Sequence, residues 1–160
     1  MTYPGFLSAS PLAGRWWVFY CVATLMLKVK DTLRSTVHLS FDGRVIKTYH
    51  GPDATLRFET EVKMLKFLEA QGCPFVPRLI AENLNLPQIV TTNCGQRVEH
   101  LDSERLQSLF AELETYGVRH DDQAARNVTY RGSDGRFCII DFEFATLLNA
   151  SSSASSEGLE

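Results

Sequence analysis

Blocks of like charge are missing from these 160 residues: 16 lysines and arginines are scattered among 19 aspartates and glutamates, for a net charge of -3. That balance disfavours nucleic acid or an anionic membrane as the main partner, although a local basic patch around a phosphate would not show in the total. Cysteine is sparse too. Cys21, Cys73, Cys94 and Cys138 form no Cys-x-x-Cys pair, and three of them lie in or beside apolar runs, where a free thiol behaves as a small buried hydrophobe. Cysteine metal ligation is therefore not expected, and reduced thiols place the chain inside the cell, in the cytoplasm. No apolar run reaches the roughly 20 residues that a membrane-spanning helix needs. Trp16 to Leu27 follows a single Arg15 and precedes no small-residue cleavage site. Its Trp, Val, Phe and Tyr content favours a buried strand, with a membrane-associated segment as the alternative.

What is present fits a soluble globular domain. Hydrophobic residues are 44% and charged residues 22%, near the averages for such proteins. A chain of this length forms one domain that buries roughly two-thirds of the surface its unfolded form exposes.

Residues 1–14 hold Pro4, Gly5, Pro11 and Gly14 and read as a loose lead-in. A strand region is expected from Trp17 to Val29 with a break inside it, then a strand from Ser35 to Leu39. Asp42-Gly43 between two alternating apolar segments, Val37 to Phe41 and Val45 to Tyr49, is a strong hairpin signal. After Gly51-Pro52, Asp53 is placed to cap a helix from about Ala54, with Phe58, Val62, Leu65 and Leu68 as its apolar stripe and Gly72 as its stop. Pro74 to Ile80 and a short strand from Gln88 to Thr92 follow. A second helix is expected over Ser103 to Tyr116, capped by Asp102 or Ser103, with Leu106, Leu109, Phe110 and Leu113 on one face. A hairpin joins Val128 to Tyr130 with Phe137 to Ile140. The Ser-rich tail has the composition of a disordered segment, and no internal repeat is visible.

The most informative stretch is Gly117 to Ala145. It carries His120-x-Asp122, then Asn127 five residues on, then the hairpin, then Ile139-Ile140-Asp141-Phe142-Glu143. This pattern resembles the catalytic and metal-binding loops of the protein-kinase-like superfamily, and Val45-Ile46-Lys47 resembles that family's third-strand lysine motif. Read alone, the Asp-rich turn has a solvated loop as its alternative reading, and Lys47 and Glu61 an exposed lysine and an ordinary helix glutamate.

The resemblance implies an α+β fold: a small antiparallel-sheet N lobe with one helix (15–95), then a truncated C lobe of one helix, catalytic loop and short hairpin (96–148). Residues 1–14 and 149–160 lie outside these lobes. It implies ATP and Mg as cofactors and transfer of the γ-phosphate to a hydroxyl. Asp122 would be the catalytic carboxylate, Arg126 would stand beside the transferred phosphate, and Asn127 and Asp141 would be the metal ligands. Lys47, paired with Glu61 in preference to Glu59, would hold the nucleotide phosphates. Val90 or Thr91 would take the gatekeeper position, and backbone groups of Thr92 to Cys94 would face an adenine. His120 reads as structural.

Several features depart from the family pattern. Gly-x-Gly-x-x-Gly is absent, so a phosphate-covering loop would have to be built from something like Lys28 to Arg34. Glu143 stands where protein kinases have Gly, which is more like small-molecule kinases. Asp121 replaces the Arg of kinases that are controlled by activation-loop phosphorylation, and Gln123 fills a usually apolar position. The sequence stops soon after Asp141, as expected of a minimal kinase-like protein, a truncated product, or a domain completed by a partner. The underside of the Ser103 to Tyr116 helix would then be an open apolar patch that meets a protein partner or a second copy. Ala124-Ala125-Arg126-Asn127 points to a protein acceptor and Asp-Phe-Glu to a small molecule. A nucleotide-binding pseudokinase or scaffold is the competing expectation.

Overall fold

A computed structural model describes residues 26–148; the expected lead-in, most of the Trp17 to Val29 strand, Cys21 and the Ser-rich tail lie outside them. The fold is α+β. Strands β1 (Met26–Asp31), β2 (Ser35–Ser40), β3 (Arg44–Tyr49), β4 (Leu79–Asn83) and β5 (Gln88–Thr92) form one antiparallel sheet in the order β1-β2-β3-β5-β4. The Asp42-Gly43 turn joins β2 to β3 as expected, with Gly43 at φ 77°. In this left-handed region an L side chain is rare, which is why glycine serves there.

Helix α1 (Ala54–Ala70) fills the connection between β3 and β4. It begins where expected, but not as expected. Asp53 has φ 56° and its side chain caps nothing; its backbone carbonyl accepts the Arg57 N–H. Short polar residues tolerate this conformation, and here it turns the chain sharply out of Gly51-Pro52. The buried face of α1 also differs from the expected stripe. Arg57, Phe58, Glu61, Met64, Leu65 and Leu68 are buried, while Val62 is only partly so. The spacing is still helical, but two ionic side chains share the inward face with the apolar ones.

The second part begins with β6 (Gln96–Arg97) and helix α2 (Ser103–Thr115), whose N-cap Asp102 accepts from the Arg105 N–H at 2.8 Å. Strand β6 pairs with β8 (Val128–Arg131), which pairs with β9 (Arg136–Ile139). Strand β7 (Val118–His120) pairs with β10 (Ala145–Leu147). The open apolar underside expected for α2 is not there. Leu109, Phe110 and Leu113 are buried in the same core as Val118, Ile139 and Phe142, and Leu106 is partly buried against it. No helix among the described residues is long and apolar enough to cross a membrane.

The segment joining the two parts depends on Gly95. Its φ is 92°, and a Cβ there would lie 2.0 Å from the Tyr130 carbonyl oxygen on β8. Replacing it has to move backbone, whereas Gly132 has nothing within 4 Å. Gly95→Ala is therefore expected to cost more than about 2 kcal/mol in urea denaturation, and Gly132→Ala to stay within about 0.5 kcal/mol.

Candidate functional site

A cavity of about 900 Å³ lies between the five-stranded sheet and the β8–β9 hairpin. Val37 and Val45 form its sheet side, and Thr129 and Ile140 its opposite side. Thr91, buried and paired with Val45, lines it; Val90 points the other way because successive strand residues alternate. Thr92 and Cys94 lie along its edge, where the Cys94 carbonyl accepts from the Thr129 hydroxyl at 2.8 Å.

The polar end is built on Lys47, whose side chain is only 8% exposed. Lys47 Nζ donates to Glu61 Oε2 at 2.6 Å and to Asp141 Oδ1 at 2.5 Å, and lies 3.4 Å from Glu143 Oε2. The reading of Lys47 and Glu61 as solvated surface residues is thus excluded, whereas Glu59 is exposed. Tyr49, two residues along β3 and on the same face as Lys47, donates its hydroxyl to Glu61 at 2.5 Å. Asp141 sits at φ 72°, ψ 62°, a left-handed conformation uncommon outside glycine, at the point where the chain leaves β9 for a single 3-10 turn, Phe142–Phe144.

Burial disfavours the Lys47 ammonium, but Glu61, Asp141 and Glu143 outweigh it and hold the group above the ordinary lysine range. For Asp141 burial raises the pKa, and Lys47 and then Lys30 more than reverse this, holding the carboxyl at about 2. Burial pushes the Glu61 carboxyl up, with Lys47 opposing. Glu143 is tied to Arg57, itself buried, whose guanidinium donates to Glu143 Oε2 at 3.1 Å and to the carbonyls of Arg34, His50 and Pro52. A planar fork with several donors suits such a convergence of acceptors.

Asp122, Arg126 and Asn127 form a second group after β7, and none of the three lines the cavity. Arg126, 65% exposed, pairs with Asp122. Asn127 is buried; its Nδ2 donates to the Asp122 carbonyl and to Asp122 Oδ2, both at 2.9 Å. Slight burial would raise the Asp122 carboxyl, but hydrogen bonds from Arg126 and Asn127 hold it below the usual range. His120 is packed between Phe110 and Phe142. Its Nδ1 accepts the Asp122 N–H at 3.2 Å, so Nε2 is left to donate to the Ile140 carbonyl at 3.2 Å. The Ile140 N–H in turn donates to the Asn127 carbonyl at 2.9 Å. These bonds fix the loop against the residue preceding Asp141. Asp121 accepts from the Thr146 hydroxyl at 2.9 Å, bracing β10.

Carboxylate oxygens of Glu61, Asp141 and Glu143 lie within 4.8 Å of one another, a hard-oxygen cluster of the kind that holds a divalent cation. Lys47, Tyr49 and Arg57 already engage Glu61 and Glu143, and Lys47 and Lys30 engage the two oxygens of Asp141. Asp141 is the more accessible of the three, and the Nδ2 bonds of Asn127 leave its side-chain oxygen as an acceptor. Asp141 and Asn127 carry hard oxygens of the kind magnesium takes, Asp141 at the cavity and Asn127 buried off its wall.

Compared with known proteins, the chain matches no family model, and no curated protein matches it.

Sequence reasoning had missed Tyr49, Arg57 and Glu143 as parts of this cluster. Their positions carried a signal: Tyr49 is two from Lys47 on a strand, Arg57 four from Glu61 on a helix, and Glu143 two beyond Asp141.

Lys47→Met would leave buried carboxylates without their cation and is expected to cost about 3–5 kcal/mol of folding stability in urea titrations. The pH dependence has a definite sign. The folded-state pKa of Asp141 is depressed, so its stabilisation is full above the unfolded value of 3.8 and is lost as pH falls toward about 2. Across that window wild type should lose about 2 kcal/mol that Asp141→Asn does not.

Proposed function

We infer that this chain is an ATP- and magnesium-dependent phosphotransferase of the protein-kinase-like type. The observation that carries the reading is the buried Lys47 ammonium held between Glu61 on α1 and Asp141 after β9, at the polar end of a cavity of about 900 Å³. The strand order β1-β2-β3-β5-β4 with one helix between β3 and β4 supports assigning the five-stranded part as an N lobe and the part that follows as C-lobe-like.

In this reading the adenine lies between Val45 and Ile140, with Thr91 as gatekeeper and Thr92 to Cys94 at its edge. Lys47 binds the phosphate oxygens. Asp141 and Asn127 would hold magnesium, which would supply charge neutralisation on the phosphates. Asp122 orients the acceptor hydroxyl and takes its proton while the new O–P bond forms, the bond from the γ-phosphorus to the bridging oxygen breaks, and ADP leaves. Arg126, already beside Asp122, neutralises charge on the group in transfer. The acceptor is a protein hydroxyl, on the strength of the Ala124 to Asn127 run, with a small-molecule hydroxyl as the alternative that Glu143 favours.

A nucleotide-binding pseudokinase with little turnover is the second reading. It draws support from Asp122 and Arg126 lying off the cavity wall, paired to each other at the surface.

Thermal denaturation and radiolabel transfer separate the two. ATP at a hundred times its dissociation constant should stabilise the protein by about 2.7 kcal/mol. The phosphotransferase reading expects this shift to require magnesium and to vanish in Asp141→Ala, and expects Asp122→Ala to lower transfer about 10²- to 10⁴-fold. Stabilisation without any transfer to a protein or small-molecule hydroxyl selects the pseudokinase, and no shift at millimolar nucleotide overturns both.

A further inference from the structure

A site for polyphosphate ordinarily covers it with backbone N–H groups from a glycine-containing turn. Here three N–H groups of the β1–β2 turn are already used. No glycine occurs between Met26 and Ser40. The Thr32 N–H donates to the Ser35 carbonyl at 3.0 Å, and the N–H groups of Arg34 and Ser35 donate to Thr32 Oγ1 at 3.2 and 3.1 Å. The turn is also fastened to the β3–α1 connection, because the Arg34 carbonyl accepts from the His50 N–H at 2.9 Å and from Arg57 at 3.1 Å.

A side chain from the same hairpin does reach the site. In β1, Lys28 pairs with His38 and Lys30 with Val37, so Val29 is bulged out of register. Bulges re-aim side chains, and this one has a visible result: Val29 and Lys30, neighbours that a regular strand would put on opposite faces, both line the cavity. Lys30 Nζ lies 3.4 Å from Asp141 Oδ2 while Lys47 occupies Oδ1. Two ammonium groups thus stand on the two oxygens of one carboxylate. Lys47 is locked by Glu61, but Lys30 is 31% exposed and has no other carboxylate partner among the described residues. Its long stem lets it move to an anion that enters beside Asp141.

The geometry points to Lys30 as a second phosphate ligand, a side-chain cation that binds the polyphosphate of the nucleotide in place of the Thr32, Arg34 and Ser35 N–H groups, which the turn has already used. This rests on the nucleotide reading of the cavity. It makes Lys30 selective for the charged part of the ligand, so a nucleoside without phosphates gains nothing from it.

Calorimetric titration of the full chain with ATP and with adenosine tests it, using wild type, Lys30→Met and Lys30→Arg. Loss of a charge-assisted hydrogen bond predicts that Lys30→Met weakens ATP binding about 10- to 100-fold, leaves adenosine binding unchanged, and is largely rescued in Lys30→Arg. Wild-type affinity for ATP in Lys30→Met, or an equal loss for ATP and adenosine, overturns the role of Lys30 while leaving the cavity's assignment intact. A wild-type protein that binds neither compound overturns both.

Discussion

A buried ammonium cannot persist without partners, and the Lys47 side chain is the point on which this structure turns. Its charge is kept by Glu61, Asp141 and Glu143, which come from a helix and from the segment after the last hairpin. Each carboxylate would be costly to bury alone. Together they oblige β3, α1 and the end of β9 to meet at one place. Arg57 extends the same demand to the β1–β2 turn and the β3–α1 connection through three backbone carbonyls.

The apolar core provides the frame on which this ionic cluster is hung. Phe58, Leu65 and Leu68 seat α1 while Arg57 and Glu61 emerge on the same side of it, so packing and charge pairing fix one rotation of the helix. On the other side of the cavity, His120 serves as a spacer: its ring packs between Phe110 and Phe142, and its two nitrogens brace Asp122 and Ile140. The loop bearing Asp122 and Asn127 and the loop bearing Asp141 are therefore held by the same residue. Gly95 permits the close approach of the segment after β5 to β8.

Much of this was legible before any coordinates. Period-two alternation and Asp42-Gly43 located the β2–β3 hairpin; helical spacing and glycine stops located both helices; Gly117 to Ala145 singled out the loops. Short strands were not legible. β6, β7 and β10 have two or three residues each, too few to establish a period, and exist because a partner strand lies alongside. Asp53 differs from expectation because a capping residue type says nothing of its backbone angle, here φ 56°. The α2 underside was misread because the core that covers it comes from residues after Val118, whose packing direction no local pattern records.

By itself the sequence determined the element types and the chemical identity of the side chains available, since propensity, periodicity and turn chemistry act over a few neighbouring residues. It named Lys47, Glu61 and Asp141, three positions spread over 95 residues. Only the tertiary structure decided that they converge within hydrogen-bonding distance, that Arg57 and Glu143 belong with them, that a bulge at Val29 turns Lys30 inward, and that Asp122 and Arg126 lie off the cavity wall. Those outcomes depend on long-range packing and on the cost of leaving buried charge unpaired, which are properties of the whole chain and of no segment in it.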